Sequence, residues 1–81
     1  MKSFKQNSPP HPGELLLEFY LRPLNFSIEE TAERLKVSRS CVDSLVNGRS
    51  GISASMANKL SKAFRTTPQY WLNMQANFDA V

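Results

Sequence analysis

Residues 27–49 read Ser27-Ile28-Glu29-Glu30-Thr31-Ala32-Glu33-Arg34-Leu35-Lys36-Val37-Ser38-Arg39-Ser40-Cys41-Val42-Asp43-Ser44-Leu45-Val46-Asn47-Gly48-Arg49, and this stretch decides the fold. Its first four residues form a capping box, in which the Ser27 hydroxyl can accept from the Glu30 amide while the Glu30 carboxylate reaches back. Ile28, Ala32 and Leu35 recur at i, i+4 and i+7, the period of a helix with one buried face. Ser38 is a second N-cap, Val42, Leu45 and Val46 supply the next apolar face, and Asn47-Gly48 is a stop. The pattern predicts helices over 28–35 and 39–47, joined only by Lys36-Val37-Ser38. So short a turn makes the two helices cross steeply instead of lying antiparallel.

Outward from this pair, Pro12 suits a helix entrance, Glu14 its positive end, and Leu15, Leu16 and Phe19 fall on one face. That helix is predicted over 12–21, ending before Pro23, because proline disfavours helix at the residue preceding it. Ser53 opens a helix over 54–64 whose stripe is Met56, Leu60, Ala63 and Phe64. Thr67 caps and Pro68 starts a last helix over 68–78. There Trp71, Met74 and Phe78 share a face while Tyr70 and Leu72 point elsewhere. A helix apolar on two sides in a small domain suits an interface, so Tyr70, Trp71, Leu72 and Phe78 are expected at a dimer contact. The fold class is all-α: five helices in one domain over 11–81, behind a flexible tail at 1–10.

The 81 residues suffice for one domain. A single cysteine, Cys41, leaves no internal disulfide and points to a reducing, cytoplasmic setting. The two lysines near the N-terminus have no apolar stretch behind them, so no signal peptide is read, and no run is long enough for a membrane span. The net charge is +3, but its placement is lopsided. Residues 34–65 carry seven cations (Arg34, Lys36, Arg39, Arg49, Lys59, Lys62 and Arg65) against Asp43 alone, while residues 1–33 are net acidic. A basic segment suits an anionic partner, nucleic acid first.

With Val42 and Leu45 turned inward, Arg39, Ser40, Asp43 and Ser44 project outward. This set is short, polar and able to hydrogen-bond base edges in a major groove. Arg39 can bind guanine in bidentate fashion, and Asp43 can accept from cytosine or brace Arg39. Asn47, with the Gly48, Arg49 and Ser50 backbone that follows, is placed to bond phosphates. The bland alternative is an ordinary helical core with a solvated polar face.

Ser27–Phe64, with Glu29-x-x-Ala32-x-x-Leu35, Val37-Ser38-Arg39-Ser40 and Val46-Asn47-Gly48-Arg49, resembles the XRE/Cro-type helix-turn-helix family. The entrance His11-Pro12-Gly13-Glu14-Leu15, the middle Val46-Asn47-Gly48-Arg49-Ser50-Gly51-Ile52 and the ending Thr67-Pro68-Gln69-Tyr70-Trp71-Leu72-Asn73-Met74-Gln75 are similar to HigA (VapI-type) antitoxins. The resemblance implies a lambda-repressor-like fold and a homodimeric repressor on a palindromic operator at its own promoter. It also implies a HigB-type toxin partner, an mRNA-cleaving ribonuclease that the antitoxin neutralises. Carried over by position, Arg39, Ser40, Asp43 and Ser44 become the base-reading set, and Ser27, Asn47 and Arg49 the phosphate contacts. Two positions depart from the wider family: Ile28 stands where Gln is usual, and Lys36 where Gly is common. A left-handed Lys36 would cost about 1 kcal/mol relative to glycine.

Other chemistries find little support. His11 with Glu14 is a single histidine beside a single carboxylate, read as a loop residue before a helix and not as a metal or acid–base site. Cys41 reads as a half-exposed filler. No phosphate loop, carboxylate pair or metal spacing is present, so no enzyme activity, cofactor, metal or small-molecule substrate is expected. The rival readings are a module that caps a toxin or other protein with weak DNA binding, favoured by Ile28 and Asp43, and a stand-alone phage-like regulator.

Overall fold

A computed structural model describes residues 9–80, so the tail expected over 1–10 lies, apart from Pro9 and Pro10, outside the described residues. Each of the five helices begins on a side chain that accepts a backbone N–H. His11 opens α1 (residues 12–24), and Ser27 opens α2 (Ile28–Leu35). Ser38, Ser53 and Thr67 open α3 (Arg39–Val46), α4 (Ala54–Phe64) and α5 (Pro68–Asp79). The Ser27–Glu30 capping box has both its bonds, at 2.9 and 3.0 Å. No strand is found among the described residues.

The first four helices end alike. Asn25, Lys36, Gly48 and Arg65 take the left-handed conformation, and the next N–H reaches back five residues. Those bonds are Phe26 to Leu21 O, Val37 to Ala32 O, Arg49 to Ser44 O and Thr66 to Ser61 O, each between 2.8 and 3.0 Å. Glycine fills this position once in four. Lys36, at φ 58°, does adopt the strained state considered from the sequence.

Helix α1 departs from expectation. It does not stop before Pro23 but continues to Leu24, because its middle section, Leu17–Leu21, is a π-helical turn between Pro12–Leu16 and Arg22–Leu24. Proline inside an α-helix removes a bond and collides with the carbonyl one turn back. The widened turn, in which Arg22 N–H bonds the Leu17 carbonyl, lets the chain pass Pro23 without breaking. It also shifts the apolar phase. Leu16 and Leu21, five apart, are both at most 1% exposed, whereas Phe19, expected on the buried face, is 57% exposed.

The core forms where the inward faces of all five helices meet. Leu35 from α2, Val42 and Leu45 from α3 and Leu60 from α4 join Leu16 and Leu21, all essentially without solvent contact. Thr31, also fully buried, satisfies its hydroxyl on the Ser27 carbonyl at 2.8 Å.

Trp71 corrects the reading of α5. Assigned from the sequence to a dimer contact, it is 0% exposed within the monomer and the largest fully buried side chain. Its indole N–H donates to Thr66 Oγ1 at 2.6 Å, and the rings of Tyr20 and Tyr70 lie 5.4 and 5.1 Å away. A bulky ring with its one polar group satisfied internally belongs to the core. Tyr70 and Phe78 are each 39% exposed and Leu72 is half-buried, so these three keep some surface. Tyr70 also bonds Tyr20 through the two hydroxyls at 3.1 Å.

Candidate nucleic-acid interface

Helix α3 is locked at both ends. Ser38 Oγ accepts from Cys41 N–H at 3.1 Å, and Gly48 and Arg49 close the other end on the carbonyls of Leu45 and Ser44. With Val42 and Leu45 buried, the helix cannot roll, so its outer face is fixed. Arg39, Ser40 and Asp43 are exposed there and Ser44 is half-buried, so the four residues picked for base reading share one rigid face.

Arg39 is not braced by Asp43. Its Nη1 lies 3.7 Å from Glu29 Oε2, across the junction of α2 and α3, with both side chains largely in solvent at 70% and 76% exposure. A pair so exposed is worth under about 1 kcal/mol, so a stronger acceptor can take Arg39 from it. Glu29, seen in the sequence only as a solvated residue, aims the guanidinium beside the start of α3. Its position four residues before Glu33 on a helix gave no sign of a partner on another helix.

The residues chosen as phosphate contacts lie at two helix ends. At the start of α2 the Ser27 N–H is taken by Glu30 Oε1, while its hydroxyl oxygen accepts from the Glu30 amide. The Ser27 backbone N–H first, and then the Ser27 side chain, hold the Glu30 carboxyl below the usual carboxylate range. At the end of α3, Asn47 Nδ2 donates to the Asp43 carbonyl at 2.8 Å, so part of its amide serves the helix. Arg49 is exposed just past the left-handed Gly48.

The frame behind this face involves residues to which sequence reasoning gave no role in the site. Gly13 lies so near α3 that a Cβ on it would overlap the Leu45 carbonyl. Only glycine permits that approach. Its signal in the sequence was a glycine in a first helical turn, where no reversal of the chain needs one. His11 and Gln75 grip the loop after α3, and neither carried a local signal.

Six of the seven cations of residues 34–65 fall in two places. Arg34, Lys36, Lys59 and Lys62 line an open cleft of about 370 Å³ between the end of α2 and α4, over Leu35 and Ala63. Arg34 also stands 4.2 Å over the Phe26 ring. Arg39 and Arg49 are left to flank the outer face of α3. Among the described residues, no cluster of His, Cys, Asp and Glu could hold a metal ion, and no helix is long and apolar enough to cross a membrane.

Residues 17–71 match the family described as helix-turn-helix. The chain belongs to the helix-turn-helix family. Virulence-associated protein A′ of Dichelobacter nodosus is 46% identical over 76 residues, covering 93% of this chain and 65% of that protein. Antitoxin HigA-1 of Vibrio cholerae is 37% identical over 71 residues, covering 88% of this chain and 67% of the antitoxin. The chain thus spans about two thirds of the length of these relatives. Among solved structures, the antitoxin HigA of Pseudomonas aeruginosa with the higBA promoter superposes with a TM-score of 0.86 at 39% identity. That likeness covers 89% of this chain and 78% of the other. In this helix-turn-helix protein, α2 and α3 are the pair that gives the family its name.

Proposed function

We propose that this chain is a sequence-specific, double-stranded DNA-binding repressor of the HigA antitoxin kind. In this reading two copies bind a palindromic operator at their own promoter and a HigB-type ribonuclease is the protein partner. The supporting observation is the rigid outer face of α3, bearing Arg39, Ser40, Asp43 and Ser44, on a fold that superposes on an antitoxin solved with its promoter. In use, α3 lies in the major groove, Arg39 leaves Glu29 for a guanine edge, and Ser40, Asp43 and Ser44 read neighbouring bases. Ser27, Asn47 and Arg49 fix the register on phosphates. Two such helices in a dimer sit about 34–36 Å apart on one side of the duplex. The exposed parts of Tyr70, Leu72 and Phe78 are the surface of α5 left for the second copy. The protein works in the cytoplasm, where its operator is, and is not an enzyme.

A second reading, a module that caps a toxin and binds DNA weakly, draws on Glu29, which occupies Arg39, and on Asp43, which opposes phosphate. Titrating a labelled duplex from upstream of the gene at two salt concentrations, with unrelated DNA as competitor, separates the two. The repressor reading expects tight, competitor-resistant binding, and Arg39→Ala relaxing base preference at one position per half-site by about 1–3 kcal/mol. Weak, sequence-blind and steeply salt-dependent binding would favour the capping module.

A further inference from the structure

The cleft at the end of α2 has no part in the base-reading face. It opens between two helices whose spacing the core fixes, since Leu35 and Leu60 are each at most 1% exposed. Four cations, Arg34, Lys36, Lys59 and Lys62, surround a small apolar patch of Leu35 and Ala63. Among the described residues Lys36, Lys59 and Lys62 form no ion pair, and Arg34 only adds to the field favouring the Glu30 carboxylate. Glu29 and Glu30 are engaged at the other end of α2, by Arg39 and Ser27. Arg34 is steadied by the Phe26 ring 4.2 Å away, and Lys59 is half-buried, so two of the cations are partly ordered before anything binds.

Cations at a helix C-terminus complement its dipole, which accounts for Arg34 and Lys62 in the last turns of α2 and α4. It does not account for Lys59, which stands before the last turn. Nor does it favour Lys36, whose left-handed backbone costs about 1 kcal/mol relative to glycine, as much as its charge gains there. Four like charges around one cleft of about 370 Å³ repel one another until an anion enters.

The lining decides which anion. Single-stranded nucleic acid is held by free aromatic faces, and the rings near the cleft are committed: Phe26 carries Arg34 and lies 6.3 Å from Phe64, which also meets Tyr20 at 5.4 Å. Duplex phosphates are expected at Ser27, and the 8 residues of α2 put the cleft about 12 Å beyond that end. Carboxylates beside an apolar side chain match both the cations and the Leu35–Ala63 patch. We infer that this cleft is a docking site for an acidic segment of a protein partner. It is a surface separate from the outer face of α3 and from the exposed part of α5, and it does not depend on whether α3 reads DNA.

The probe is a short synthetic peptide in which glutamates flank one leucine, titrated into the full chain and followed by NMR. Amide shifts are expected to saturate and to gather at residues 34–36 and 59–63. Lys59→Gln with Lys62→Gln should weaken the peptide about tenfold, whereas Arg65→Gln, which removes a cation outside the cleft, should change it less than about twofold. Serine in place of the peptide leucine should weaken it about fivefold. Shifts that never saturate, shifts that spread equally to Arg39 and Arg49, or unchanged affinity in the double variant overturn the inference; should that variant not fold, the wild-type map decides alone. A single-stranded oligonucleotide that takes the cleft more tightly than the peptide overturns it too. So does a double variant that weakens the upstream duplex as much as the peptide, because the cleft would then belong to the DNA interface. A wild-type chain that binds the peptide but no duplex upholds the cleft and overturns the operator reading, so the two failures stay apart.

Discussion

The α2–α3 pair and the frame of α1 and α5 around it are held by different kinds of interaction. In the pair, one capping box, a second serine cap, Schellman ends and apolar stripes join residues within a turn or two of one another. In the frame, Gly13 meets Leu45, His11 meets Phe78, and Gln75 reaches Ile52 across 23 positions. The pair carries the face that would touch DNA, and the frame sets where that face stands. Local bonds cost about 1 kcal/mol each to lose, whereas a frame contact removes packing that nothing nearby replaces.

Trp71→Ala should therefore have the largest effect, a loss of about 3–5 kcal/mol in denaturant unfolding, because it empties the centre of the frame. A folded monomer of near wild-type stability would return Trp71 to an interface and collapse the contrast. Gly13→Ala comes next, at about 1–3 kcal/mol or more, since its Cβ must push α1 off the Leu45 carbonyl. A loss of only a few tenths there would show that α1 can slide freely against α3.

Within the pair, Ser27→Ala is expected to cost about 1 kcal/mol by calorimetry. The same cap makes stability depend on acid. With its folded pKa lowered, Glu30 contributes fully above its ordinary 4.5, and the contribution fades as pH falls through the lower folded value. Ser27→Ala should flatten that part of the pH curve. The smallest change, Lys36→Gly, should raise stability, by at most about 1 kcal/mol, by relieving a left-handed lysine. A loss there would mean that the Lys36 side chain does more for the turn than its backbone costs.

The same division decides what could be read from the sequence. Ser27, Ser38, the Ile28-Ala32-Leu35 stripe and even the left-handed Lys36 were legible, because each rests on neighbours within the same short stretch. Pro23 misled, since the rule that proline ends a helix holds for regular α turns and the chain widened its turn to pass. Phe19 followed it outward. Trp71 was misplaced because a helix apolar on two sides does not say which side its own chain will cover. Gly13 was visible only as a glycine in a first helical turn, and His11 and Gln75 only as members of the antitoxin-like motifs, because their contacts with Leu45, Phe78 and Ile52 lie far along the chain. For the candidate site, the outward placement of Arg39, Ser40 and Asp43 followed from periodicity, but Glu29 as the counter-ion of Arg39 needed the crossing of two helices.

The burial of Trp71 also makes the molecule an optical instrument. It is the only tryptophan in the chain, so all indole fluorescence originates at one dry position beside the Tyr20 and Tyr70 rings, which can pass excitation to it. Its emission will lie toward the blue while the frame is closed and move red when water enters. Because Trp71 belongs to the frame and not to the outer face of α3, adding a duplex should leave the colour unchanged. Colour then reports the integrity of the scaffold while an external label reports occupancy, and the two can be followed in one cuvette.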